Sequence, residues 1–167
     1  MARSIDYRSA AAHPADRVYA AMVDPAHLTA RLSRLGGPKA RLVEHRADPD
    51  AAEYQLQHGL DREALPAMMR QLVPGDLLIE RAERLRREGP GRYTGEVDVR
   101  IPGTPATASG TIQLTDDGSG GSELRVQATV SVRVPLIGGR IEEYIAERVR
   151  ELLAAETAFT LDWLDQG

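Results

Sequence analysis

The chain has 167 residues, of which 42% are hydrophobic and only 4% aromatic, with no cysteine and a formal net charge of -4. That length suits one domain, 1–167, around a core that must be aliphatic. The acidic balance excludes a general nucleic-acid binder, which needs a basic face. The missing cysteines exclude disulfides and thiolate metal sites and fit a cytoplasmic location, and no apolar run reaches the length of a membrane span.

Residues 3–9, RSIDYRS, alternate like a strand, with Ile5 and Tyr7 on one side. No apolar signal-peptide core precedes them, so the stretch reads as the first strand and not as a secretory signal. Pro14 opens a helix, its fixed φ suiting a first turn, with Val18, Tyr19, Met22 and Val23 as the apolar face. Asp24-Pro25 breaks it, and 25–35 resumes as a second short helix carrying Leu28, Leu32 and Leu35 until Gly36-Gly37-Pro38 stops it. Residues 39–48 and 51–60 form a hairpin through Asp48-Pro49-Asp50, with Tyr54, Leu56, His58 and Leu60 on one face. A connector over 61–76 has room for a short helix around 64–72, limited by Pro66 and Pro74.

Four more strands follow, 76–88, 92–101, 106–115 and 123–134, separated by Gly/Pro turns and by the glycine-rich DDGSGGS. The last alternates strictly from Leu124 to Val134, which marks an antiparallel sheet with one wet and one buried face. After Gly138-Gly139 the period changes. A helix over 139–165, N-capped by Gly139 and with Glu142 and Glu143 in its first turn, carries Ile141, Ile145, Val149, Leu152, Phe159 and Trp163 in one stripe, with Glu156 among them. A sheet with one apolar face needs a cover, and only this helix is large enough to supply it.

The order strand, two short helices, six strands, long helix resembles the helix-grip fold of the START-like superfamily, which includes birch-pollen-allergen-like proteins and polyketide cyclases. The stretches MARSIDYRS, RLGGP, PGDLLIER and VPLIGGRIEEYIAERVRELLAAE with FTLDWL resemble, more narrowly, an uncharacterised actinobacterial family within it. The resemblance spans the chain and implies an α+β domain: a seven-stranded curved antiparallel sheet around a long C-terminal helix, with two short helices between strands 1 and 2 and a cavity between sheet and helix. It brings no catalytic motif.

The expected function is binding of a hydrophobic or amphipathic small molecule in that cavity. The alternatives are an enzyme of the polyketide cyclase/dehydratase or hydrolase type using the same space, and an interaction module with a filled core. The inner face carries small residues, Gly95, Ala108, Gly110 and Ala128, and the hydroxyls of Tyr7, Tyr54 and Tyr93. On the strand 76–88, choosing Leu77, Ile79 and Leu85 as inward carries Arg81 and Glu83 inward too. Buried charge must be paired, so Arg81 is matched with Glu83 or Glu156; otherwise these residues sit at the cavity mouth, or a bulge flips the register. The candidate ligand contacts are therefore Tyr54, His58, Met68, Met69, Arg81, Glu83, Tyr93, Glu156 and Phe159, with Met68 and Met69 on a connector that acts as a lid or simply packs against the sheet. The four histidines lie in separate elements without metal-ligand spacing, and no cofactor motif is present. A hydrophobic small molecule is the expected partner of a monomer or weak homodimer.

Overall fold

A computed structural model describes residues 2–167. Its elements are β1 (Ala2–Ala11), α1 (Ala15–Met22), α2 (Pro25–Leu35), β2 (Arg41–Ala47), β3 (Ala51–Leu60), α3 (Ala67–Arg70), β4 (Leu77–Gly89), β5 (Arg92–Arg100), β6 (Ala106–Asp116), β7 (Ser122–Val132) and α4 (Gly138–Gln166), with a 3-10 turn at Arg62–Ala64 before α3. The strands form one antiparallel seven-stranded sheet in the order β1-β7-β6-β5-β4-β3-β2. Thus β2 to β7 are a plain meander, and β1 is added beside β7, where Ile5 faces Ala128 and Tyr7 faces Val126. This is the curved helix-grip sheet and long closing helix expected from the sequence.

Local chemistry explains the boundaries and shifts two of them. Pro14 is the residue before α1, in extended conformation, so it caps the helix from outside instead of filling its first turn. Asp24 is the N-cap of α2, its carboxylate accepting from the Ala26 amide at 2.8 Å, and Pro25 takes the first helical position, where no donor is needed. α4 begins at Gly138 with Ile137, not Gly139, as its N-cap, so Glu142 falls two positions further in and just beyond the first turn. It is buried, and it accepts a 2.9 Å hydrogen bond from the Val132 amide, tying the end of β7 to the helix.

Two glycines fix how the helices meet the sheet. Gly36 O accepts from Gly59 N at 2.8 Å, and a Cβ on Gly59 would lie 1.6 Å from Pro38 O. The RLGGP turn after α2 is thereby pressed onto the end of β3, next to His58. α4 packs on β1, β7, α1 and α2 and stands off from the middle strands of the sheet. Two apolar clusters result. One joins α1 and α2 to β3, β5 and β6 through Val18, Leu28, Leu56, Tyr93 and Leu114; the other joins Leu65, Met69 and Leu77 to Val130, Val132 and Ile141. No helix of the described residues is long and apolar enough to cross a membrane.

Candidate functional site

Where α4 stands off the sheet, a cavity of about 390 Å³ remains, lined by members of both clusters. The aliphatic residues expected to fill such a space are too few. Val97, Val99, Ala108, Ile112, Ala128 and Val130 form its floor from β5, β6 and β7, and Ile145, Val149, Leu152 and Leu153 form its roof from α4. Alanine at 108 and 128 leaves volume that a larger residue would occupy. Exposed Arg148 also lines the space, which places an opening beside the middle of α4.

One end of this apolar space is charged. The β3–β4 ladder runs without a register break from Ala51 opposite Arg86 to Leu60 opposite Leu77. Nothing flips the faces, and Arg81 and Glu83 point inward with Ile79 and Leu85. Arg81 donates through Nη1 and Nη2 to both carboxylate oxygens of Glu156, at 2.9 and 3.0 Å, and through Nε to Glu83 Oε2 at 2.6 Å. The Tyr54 hydroxyl donates to the other Glu83 oxygen at 2.6 Å. Arg31 of α2 closes the group, with Nε 3.7 Å from Glu156 Oε2. Two guanidinium groups and two carboxylates are thus held within an apolar domain, a placement that is tolerable only because they are mutually paired.

The electrostatics follow from that geometry. Burial alone would raise the Glu156 carboxyl, but Arg31 and Arg81 hold it down to about 2. Glu83 is likewise lowered against its burial by Arg81, Arg31 and the Tyr54 hydrogen bond. Burial, and then the neighbouring Glu83, push the Tyr54 phenol well up. His58 is pushed down to about 4 by burial and by the positive charge of Arg81, so it is a neutral imidazole at physiological pH. Hydrogen-bonding capacity is left over at this end: Arg31 Nε, Arg31 Nη2 and His58 Nε2 are buried without a partner. A second buried imidazole, His27, lies behind Arg31. It shares a 3.1 Å contact with Thr160 Oγ1, is held at about 4 mainly by burial, and leaves its Nδ1 unpartnered.

Of the residues singled out in the sequence, His58, Met69, Arg81, Glu83 and Glu156 line the cavity. Four do not. Tyr54 stands behind Glu83, with its ring stacked on His45. Tyr93 stacks on Tyr19 at 4.2 Å and donates to Asp16 at 2.7 Å, because α1 covers that end of β5. Phe159 turns outward from the cavity to lie 5.6 Å from His27 and beside Trp163, since α2 packs along that side of α4. Met68 is half-buried in the second cluster, while Met69, one residue on, reaches the cavity. The Tyr7 hydroxyl meets Thr157 at 3.0 Å, and Thr157 in turn lines the space. Gly95 lies under Leu85 and Gly110 against the backbone of β7, so their small size serves strand packing; Ala108 and Ala128 are the two that face the void.

Arg31 is the residue that the sequence reading missed. It sits three positions after Leu28 and four before Leu35, on the same helical face. A cation in the middle of a leucine stripe was the available signal.

The chain matches the family model described as "Protein of unknown function (DUF2505)" over residues 6–164. It is 29% identical over 170 residues to the uncharacterized protein Rv0481c of Mycobacterium tuberculosis, covering 98% of each chain. Among solved structures it superposes on TTHA0849 from Thermus thermophilus with a TM-score of 0.63 at 12% identity, covering 97% of both chains. On norcoclaurine synthase from Thalictrum flavum, solved with dopamine and hydroxybenzaldehyde, the TM-score is 0.58 at 14% identity, covering 100% of this chain and 89% of the other. These structural likenesses establish the START-like helix-grip fold.

Proposed function

The chain belongs to the DUF2505 family, and from that premise we propose that it is a binding protein that holds a compact hydrophobic or amphipathic small molecule between the sheet and α4. The observation that carries this reading is the cavity of about 390 Å³, walled mainly by aliphatic side chains with a buried charged cluster at one end. Ligand pockets have this size and makeup, upward of about 300 Å³ and mostly apolar with a few placed polar groups.

Holding is favoured over turnover by the proton affinities of the lining groups. A general acid or base works best with a pKa near the ambient pH. His58 lies at about 4, Glu156 at about 2, and Glu83 below its ordinary value, so each is locked in one protonation state near neutrality. The cluster is therefore suited to orienting a guest and poorly suited to moving protons.

Native mass spectrometry of freshly purified protein tests the reading, together with Ala128→Leu, which adds three carbons to the cavity floor. The wild type should retain a small molecule or take up an added naphthalene derivative, and the folded variant should not. A folded wild type that takes up no apolar guest, or a variant that binds as well as wild type, would refute the proposal.

A further inference from the structure

Resting on the reading of the cavity as a ligand site, the geometry points to a particular guest: an apolar body bearing one uncharged carbonyl oxygen, a ketone, ester or amide, whose oxygen accepts from Arg31 at the charged end.

Three features of that end lead there. The first is the direction of the unused hydrogen bonds. Both Glu156 oxygens are occupied by Arg81, and the two Glu83 oxygens by Arg81 and Tyr54. Nε and Nη2 of Arg31 are buried and unpartnered. Arginine has donors only, so what Arg31 lacks is an acceptor; Nε2 of the neutral His58, also buried and unpartnered, can donate to or accept from the same guest according to its tautomer.

The second is charge. Arg31 and Arg81 balance Glu83 and Glu156, and His58 between them is neutral. A carboxylate placed against Arg31 would leave one net negative charge in an apolar enclosure, close to Glu156 Oε2, which already lies 3.7 Å from Arg31 Nε. An uncharged oxygen satisfies the donor and leaves the balance intact. Buried donors without partners are costly, so the empty site selects for a guest that brings the acceptor.

The third is placement. Arg31 is 5% exposed, and its position is set by α2, whose following turn is pressed onto β3 through the Gly36–Gly59 hydrogen bond. The donor is therefore fixed before any guest arrives, as selectivity by hydrogen bonding requires.

Isothermal titration calorimetry with three probes sharing one bicyclic body tests this: 2-acetylnaphthalene, 2-ethylnaphthalene and 2-naphthoate. The ketone should bind about tenfold to a hundredfold more tightly than the hydrocarbon, the range expected for a hydrogen bond from a charged donor. At about pH 7.5, where the naphthoate is ionised, the carboxylate should bind more weakly than the ketone. The carbonyl stretching band of bound 2-acetylnaphthalene should move to lower wavenumber. In Arg31→Met the preference for the ketone over the hydrocarbon should fall to within about threefold, and the band shift should disappear. The wild-type comparison stands even if the variant fails to fold. Ketone and hydrocarbon binding equally well would overturn the carbonyl anchor and leave the cavity reading standing. A naphthoate that binds most tightly would overturn the requirement for an uncharged head. Failure of all three probes would remove the ligand site itself, and this inference with it.

Discussion

Glu156→Gln removes one charge from the buried cluster and keeps its shape. The wild-type carboxyl is held at about 2 against an ordinary 4.5, with Arg31 and Arg81 overcoming the opposing effect of burial. At about 1.36 kcal/mol per pH unit, that gap corresponds to about 3 kcal/mol of stability. The value agrees with the loss of about 3–5 kcal/mol expected when one partner of a buried ion pair is removed. In the variant, Arg31 and Arg81 face Glu83 alone, leaving one uncompensated positive charge. Urea unfolding near pH 7 should show a lower midpoint with an unchanged slope.

Acid adds a second readout. A carboxyl whose folded pKa lies below its unfolded value stabilises fully above the unfolded value, and that contribution is lost as pH falls through the folded one. Wild type should therefore lose stability between about pH 4.5 and 2, and Glu156→Gln should lose less over the same window. Adding Arg31→Met to Glu156→Gln restores neutrality and should recover part of the loss, with a coupling of about 0.5–3 kcal/mol in the double-mutant cycle. A single-variant loss below about 1 kcal/mol, with acid curves parallel to wild type, would refute the view that this cluster is a coupled buried charge system.

His58 and His27 are each held at about 4 by burial, below an ordinary 6.5, so the unfolded chain takes up their protons first and stability falls as pH drops from about 6.5 toward 4. His58→Phe should flatten that decline, and equal differences between unfolding midpoints at two pH values in this window, for variant and wild type, would contradict it. Tyr54→Phe deletes the 2.6 Å hydrogen bond to Glu83 and should cost roughly 1–3 kcal/mol in chemical unfolding. Trp163 is only half-buried, at an edge of His27, so Trp163→Ala should cost less than the roughly 3–5 kcal/mol of a fully enclosed aromatic. A loss in that upper range would mean that the end of α4 is docked more deeply than its exposure indicates.

The fold was legible because each segment's period agrees with its neighbours. β7 alternates without interruption, α4 repeats with helical spacing, and the turns between them fall on glycine and proline. The inward placement of Arg81 and Glu83 could be read from Leu77, Ile79 and Leu85 alone, because a strand has only two faces. The helix-borne residues were harder. Phe159 and Glu156 both lie in the apolar stripe of α4, yet Glu156 enters the cavity and Phe159 meets α2. Which part of a stripe meets which neighbour depends on the lateral packing of α1 and α2, and that is a tertiary property. Tyr93 shows the same limit, since its face was assigned correctly while α1, which covers it, lies far away in sequence. Arg31 lies on the leucine face of α2, and its partner Glu156 is distant in the sequence, on α4, so their pairing is likewise a tertiary property.

The neighbours β1 and β7 lie at opposite ends of the sequence, with Ala2 beside Ser131 and Ala11 beside Ser122. During synthesis on the ribosome, β1 emerges well before β7 and must wait for it before their shared hydrogen bonds can form. α4, which covers the finished sheet, is made later still. A chain whose closing contacts span such separations assembles slowly, and until then Ile5 and Tyr7 are available to a wrong strand or to a chaperone.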